Sequence, residues 1–332
     1  MRNQTILRLL TLFTKAFHFI PSELSHSLAL TGIKLITFMG FKIKISKDQY
    51  KRLFNSNFNN SLGLAAGLDK NGDYIDTFAA LGLGFLEIGT VTPRPQYGNK
   101  KPRLFRDKSS KAIINRMGFN NKGVDYLVKK IKKRQSDLPI GVSIGKNFDT
   151  PNNLAVKDYL YCLDQVFEFA DYIAINISSP NTEGLRSFEI KKELEDLIKP
   201  LKERQIELSK VFEYKPLLLK ISPDNDEQGI EDICETLLKF SIDGLICTNT
   251  TTNHNHFSGS GGLSGQPLMK TSTEVLKKAR KFLGDEFPII ASGGVMSKED
   301  YEEKLGAGAN LVQIYTGFIY EGPKLIDDIL NK

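Results

Sequence analysis

From residue 61 onward, short apolar runs alternate with longer segments whose apolar residues recur at helical spacing. The runs cover 62–66, 85–91, 140–144, 172–177, 217–221, 244–248, 289–291 and 311–315. Most are too apolar to alternate between a buried and a wet face, as expected of parallel strands covered on both sides. Helical patterns fall near 73–81, 122–135, 154–170, 189–209, 227–240, 272–283, 298–305 and 323–331. Eight strand–helix units in about 270 residues predict a (β/α)8 TIM barrel of the α/β class. A doubly wound open sheet is the alternative, because strand order is not written in a single sequence.

Ahead of these units, Ile6, Leu9, Leu10, Phe13 and Phe17 fall at helical spacing. After Pro21, Leu24, Leu28 and Leu35 share one face of a second helix. Neither pattern reaches the ~20 apolar residues of a membrane span. Lys15 interrupts the run that a secretory signal needs, although an acid-poor, Arg-bearing start also fits a transit peptide. Charge sets the segment apart. Residues 1–44 hold six basic residues and one acid, Glu23, so they carry +5 of the chain's +6. Two parts are therefore expected: an N-terminal two-helix extension over 1–44 and the barrel over 45–332. The extension is either a basic amphipathic pair on a membrane surface or a helix pair packed on its own domain.

Composition narrows the function. With 332 residues, 40% hydrophobic and 25% charged, the chain is neither disordered nor collagen-like. A net charge of +6 is mild for a nucleic-acid binder. Cys162, Cys234 and Cys247 are scattered, which argues against disulfides or a cysteine metal site. Four histidines (His18, His26, His254, His256) make a histidine metal centre unexpected, and no metal is assigned. His254 and His256 have no evident partner and read as solvated loop residues.

Nearly every strand ends in a polar or glycine group: the Gly67–Lys70 turn, Thr90, Ser143, Asn176, Lys220, Thr248 with Asn249, Gly293–Gly294, and Tyr315–Thr316. Barrel active sites gather at these ends. Two glycine-rich stretches, 259–265 and 291–295, could bring backbone N–H groups to an anion. After strands 7 and 8, a phosphate site is the better reading than a plain turn. No GxxxxGK[ST] motif occurs. Asn115 to Asn120 sit in a long loop after strand 2, and 176–182 follow strand 4. The pocket is rich in amides and hydroxyls, with two lysines and no clustered carboxylates. That suits a planar, polar, anionic small molecule, not a glycosidase pair, a metal hydrolase or a Ser-His-Asp triad.

The strings LGLAAGLDKNG, EIGTVTPRPQYGNKKPRLFR, INRMGFNN, INISSPNTEGLR, CTNTT, GGLSGQPL and VQIYTGFIYEGP make the chain resemble the dihydroorotate dehydrogenases of the membrane-associated, quinone-dependent class (class 2). The similarity runs along nearly the whole chain. It implies an FMN-binding (β/α)8 barrel that oxidises dihydroorotate to orotate in pyrimidine biosynthesis. A base removes the C5 proton, a hydride leaves C6 for N5 of FMN, and electrons pass to a quinone. The base position is Ser179; the soluble class has cysteine there, so Ser179 favours the quinone class. A serine hydroxyl is a poor base and needs a proton route; by the resemblance Thr182 and Phe119 shape one, under a lid at 178–190.

The same resemblance assigns Lys70 to the substrate carboxylate and to the flavin. It gives Asn115, Arg116, Met117, Gly118, Phe119, Asn176, Asn181, Asn249 and Thr250 to the substrate. To the flavin it gives Ala66, Gly67, Leu68, Asp69, Thr90, Ser143, Asn176, Lys220, Thr248, Gly265, Gly294, Tyr315 and Thr316. Lys220 would lie beside N1/O2, where a cation favours the reduced ring. Ser143 departs from the family, which usually has asparagine there. His26 and Arg106 match positions lining the quinone site. The implied protein is a monomer, peripheral on the cytoplasmic face of a bacterial cell membrane, because eukaryotic members add a targeting peptide and a true span. Two rivals remain: another FMN barrel of the dihydrouridine synthase type, whose cysteine acid and basic module are missing here, and an inactive membrane-surface scaffold.

Overall fold

A computed structural model describes residues 2–17, 19–45, 50–54, 56–254 and 261–331. Two helices, α1 (Arg2–Phe17) and α2 (Ser22–Phe38), precede a short hairpin, β1 (Lys51–Leu53) and β2 (Ser56–Phe58). The barrel strands are β3 (Leu62–Leu64), β4 (Phe85–Val91), β7 (Ile140–Ile144), β8 (Tyr172–Asn176), β9 (Leu217–Ile221), β10 (Gly244–Cys247), β12 (Ile289–Ser292) and β13 (Leu311–Ile314). All are parallel to their neighbours and close into one barrel, which excludes the open sheet. The helices wrapped around it are α3 (Ile75–Ala80), α4 (Val124–Ile131), α5 (Ala155–Val166), α6 (Lys191–Leu208), α7 (Glu227–Lys239), α8 (Met269–Leu283), α9 (Lys298–Gly306), α10 (Thr316–Glu321) and α11 (Pro323–Asn331). Local chemistry marks their starts: the Asp226 carboxylate accepts from Gly229 N–H at the head of α7, and Ser297 from Asp300 N–H at α9.

The strands do alternate, but inside the barrel. Phe85, Tyr172, Leu218, Ile246, Ile290 and Leu311 form an apolar floor with Phe58 of the hairpin, which plugs the N-terminal end. Phe58 meets Phe85 edge to face at 5.6 Å. Gly141 makes room for this layer, since a Cβ there would lie 2.0 Å from the Tyr172 ring. Two residues further along the same strands, the period of two brings Glu87, Lys220, Thr248, Ser292 and Gln313 inward, all buried. Polarity thus rises toward the C-terminal mouth, where barrel sites lie.

Two loop expectations change. The stretch after β4 holds β5 (Leu104–Asp107) and β6 (Ala112–Asn115), so Asn115 ends a strand. The stretch at 259–265 is only partly a loop: β11 (Gly262–Gly265) pairs antiparallel with β6. This three-stranded sheet, ordered β11-β6-β5, stands beside the barrel mouth. Gly259, Ser260, His18 and His256 lie outside the described residues, as do the side chains of Ile6 and Leu9. His254 does have a partner, with Nε2 3.0 Å from Gly261 O.

The extension packs on the barrel through Leu7, Leu10, Leu30 and Ile33. Leu24, Leu28 and Leu35 share one face of α2, as the spacing predicts, and that face is exposed, along with Leu12, Phe13, Phe19 and Phe38. Among the described residues no helix is long and apolar enough to cross a membrane.

Candidate active site

The inward polar layer opens into a cleft at the barrel mouth, about 950 Å³ with the space at its opening. Every barrel strand except β7 supplies its wall directly or through the turn that follows it. Ala66, Gly67 and Lys70 come from the turn after β3, and Thr90, Asn176 and Lys220 from β4, β8 and β9. Thr248, Asn249 and Thr250 follow β10, and Gly294, Tyr315 and Thr316 follow β12 and β13. Asn115, Met117, Gly118 and Phe119 close one side, and Ser179, Asn181 and Gly265 complete the wall. Ser143 on β7 stays behind it, fully buried, with its hydroxyl 2.9 Å from that of Thr90.

At the cleft's base Lys220 Nζ lies 3.3 Å from Glu87 Oε1. The Glu87 carboxylate also accepts from Gln313 Nε2 at 2.7 Å and from the Tyr172 hydroxyl at 3.2 Å. A lysine buried this deeply needs such a partner, because an unpaired charge there is costly. Gln313 Oε1 is buried and has no hydrogen-bond partner among the described residues. Glu87 and Gln313 lie within mostly apolar runs, so the sequence alone does not single them out. The inward alternation two residues beyond Phe85 and Leu311 was the signal that would have found them.

Higher up, the amides hold one another. Asn176 Nδ2 donates to Thr90 Oγ1 at 2.8 Å, and Asn249 Nδ2 donates to Ser178 Oγ at 3.0 Å. Asn181 Nδ2 donates to Asn115 Oδ1 at 3.0 Å. Such mutual bonding fixes the side chains before any ligand arrives. Ser179 is buried, and its Oγ accepts from the Asn181 N–H at 3.3 Å. The segment carrying it is fastened by Arg186, which the motif reading left without a role. Its guanidinium donates to Ser178 O, to Thr250 O and to Asp224 at 3.0, 2.7 and 2.7 Å. Thr182 is buried in this segment but not in the cleft wall.

Three other assigned residues point elsewhere. The Asp69 carboxylate accepts from the Asp73 and Tyr74 N–H groups at 2.9 and 2.8 Å, building the turn. Arg116 stacks 4.9 Å over the Phe105 ring. Leu68 faces a second, apolar cavity of about 620 Å³, between α1, α2, β5, β6 and α10. His26 and Arg106 line that cavity too. Arg106 donates to Ser25 Oγ at 2.8 Å and to Phe17 O at 3.4 Å, while its Nε is buried without a partner among the described residues. Burial, helped by the nearby Lys70 cation, lowers the His26 pKa to about 4, so the ring is neutral at pH 7. Burial and Arg103 lower the Lys70 pKa to about 8, against the pull of Glu23 and Asp69. The partition between cavities is thin. Gly67 faces the first and Leu68 the second; Thr316 and Gly317 face the first, Phe318 and Ile319 the second. Arg103 secures α2 beside this wall, 3.3 Å from Glu23.

The family model for dihydroorotate dehydrogenase matches residues 50–332. The chain belongs to the dihydroorotate dehydrogenase family. It is 49% identical over 324 residues to a dihydroorotate dehydrogenase (quinone) of Aliivibrio salmonicida, covering 94% of this chain and 96% of that protein. The same-named protein of Vibrio cholerae is 50% identical over 325 residues, covering 95% and 97%. Among solved structures, a ligand-free dihydroorotate dehydrogenase from Eimeria tenella superposes with a TM-score of 0.86 at 34% identity, covering 93% of each chain. The same enzyme in complex with ferulenol gives 0.86 at 33%, covering 93% of this chain and 89% of that one. The relatives and solved structures cover more of the chain than residues 50–332, so these likenesses reach into the extension.

Proposed function

We propose that this dehydrogenase oxidises dihydroorotate to orotate in pyrimidine biosynthesis, with FMN in the first cavity and a quinone as acceptor in the second. The observation that carries the reading is the pair of cavities, one into which amides, hydroxyls and two lysines converge and one largely apolar, separated by the Gly67–Leu68 turn and the first residues of α10.

The first cavity fits a flavin mononucleotide. Gln313 Oε1 is an acceptor lacking a donor, which a ring N–H would satisfy. Gly293 and Gly294 have φ of +115° and +85°, and a Cβ on Gly294 would lie 2.2 Å from Met269 Cα. The close approach of α8 demands glycine there, and because both glycines line the first cavity the turn offers a phosphate group backbone alone. Lys220 and Gln313 would hold the ring's pyrimidine end. Ala66, Gly67, Thr90 and Thr248 would flank it, and Gly265, Gly294, Tyr315 and Thr316 would hold the ribityl phosphate. Ser143 would act only through Thr90 or a water. FMN, when bound, supplies a hydride acceptor that can pass its electrons on.

For the substrate, Asn115, Asn176, Asn181, Asn249 and Thr250 hold the pyrimidine ring, and Lys70 pairs with its carboxylate. A site of fixed amides rejects rings lacking the matching groups, because its own polar atoms would stay unpaired. Ser179 removes the C5 proton, and the Thr182 hydroxyl and Phe119 would shape its way out. Arg186 keeps the segment closed over the ring, which excludes water.

In the second cavity the unpartnered Arg106 Nε is a donor for a quinone carbonyl, and the neutral His26 ring can donate or accept. The exposed apolar face of α2, with the basic residues of 1–44, rests on a membrane surface as a peripheral contact. The test is anaerobic addition of dihydroorotate to the full-length protein. The yellow flavin absorbance should bleach and return when quinone is added. A colourless protein after gentle purification contradicts the reading.

A further inference from the structure

Lys304 sits in the last turn of α9, fully buried, and no carboxylate lies within ion-pair distance among the described residues. Its Nζ donates to Ser272 Oγ at 2.6 Å and lies 3.4 Å from Met269 O. Both partners belong to the first turn of α8, the positive end of that helix. A cation placed there adds to the positive potential instead of relieving it. The nearby Cys247 thiol does not neutralise it, because burial pushes its pKa up and keeps it protonated. Asp300 and Glu303 act on the ammonium only from a distance: Asp300 is committed to the Met296 N–H at 2.8 Å, and Glu303 is exposed to solvent. Burial lowers the Lys304 pKa to about 8, so at neutral pH the amine is still mostly charged. An uncompensated buried charge is strongly unfavourable, so a compensating anion is to be sought next to it.

The path to one is short. With Lys304 donating, Ser272 Oγ accepts, and its own proton is shared among Gly293 O and Leu268 O at 2.9 Å and Met269 O at 3.1 Å, so the hydroxyl links the ammonium to the Gly293 turn as well as to the start of α8. Gly293, Gly294 and Leu268 line the phosphate end of the first cavity. Through Ser272 the ammonium thus stands behind the bare turn on which that phosphate would sit.

We infer that Lys304 is a positioning residue for the cofactor's anionic end, selecting a phosphate monoester over the uncharged alcohol through Ser272 and the Gly293–Gly294 turn. The inference rests on the flavin reading above. A lysine that merely ties α9 to α8 would affect stability without discriminating between phosphorylated and unphosphorylated ligands.

The test compares FMN with riboflavin on full-length wild type and Lys304→Met, using recovery of free-flavin fluorescence on dilution to obtain each dissociation constant. The variant should bind FMN about tenfold or more weaker, with riboflavin changed by no more than about twofold. Equal weakening of both ligands, or unchanged FMN binding, overturns the inference. If the wild type binds neither flavin, the cofactor reading falls first and the role of Lys304 with it. Should Lys304→Met fail to fold, Ser272→Ala carries the test: a reduced preference for FMN supports the inference, and an unchanged FMN-to-riboflavin ratio overturns it.

Discussion

The two cavities meet at one turn but are built on opposite principles. The first is walled by side chains that hydrogen-bond one another before any ligand arrives, down to the Glu87–Lys220 pair at its base. The second is a gap between helices that pack on the barrel through a few aliphatic contacts, with Arg106 as its principal polar group. A preorganised polar site selects by leaving its own atoms unpaired when the wrong ligand binds. An apolar slot selects weakly by shape, with one or two polar handles. The first cavity should therefore respond to single-atom changes and the second should tolerate them, except at Arg106.

The largest expected effect is Ser179→Ala. Flavin binding should persist while reduction by dihydroorotate slows about 10²- to 10⁴-fold in anaerobic stopped-flow. Unchanged reduction would remove Ser179 from the base role. Next comes Asn181→Ala, which also strips Asn115 Oδ1 of its donor; dihydroorotate affinity should fall roughly tenfold, with the KM for quinone unmoved. A shift in the quinone KM would mean that the wall between the sites transmits more than electrons.

Smaller still is a pH effect. Lys70 carries its charge below about 8. Attraction for the substrate carboxylate is therefore full at pH 6 to 7 and lost as pH rises through 8, so the KM for dihydroorotate should climb above pH 8. A bound carboxylate raises that value and flattens the climb. His26, already neutral above about 4, should leave the quinone step flat between pH 6 and 9. A quinone step that changes near pH 6.5 would show an ordinary imidazole there.

This contrast also explains what the sequence could tell. The barrel was legible because its eight buried strands are short, mostly apolar runs, and the first cavity because most of its residues cluster in seven motifs. Within the strands the reading failed at Glu87 and Gln313, whose inward positions are visible only once the barrel is closed. Ser143 stands where the family usually has asparagine, and its shorter side chain stops at the Thr90 hydroxyl, behind the wall. The sheet beside the mouth was missed because the glycines at 261–265 suggest a loop, whereas pairing with β6 makes a strand of Gly262–Gly265. On α2, spacing found the Leu24–Leu28–Leu35 face but not its direction, which depends on Leu30 and Ile33 occupying the barrel side. Removing residues 1–40 would uncover that aliphatic contact, so point variants separate the cavities more cleanly than truncation.

The central claim is that the two cavities perform separate halves of one reaction. Arg106→Ala in the full-length protein tests it most directly. Mixed anaerobically with dihydroorotate and then with quinone, the variant should bleach at the wild-type rate and recover its flavin colour roughly ten- to a hundredfold more slowly. Bleaching and recovery slowed to the same degree, or recovery at the wild-type rate, would contradict the account.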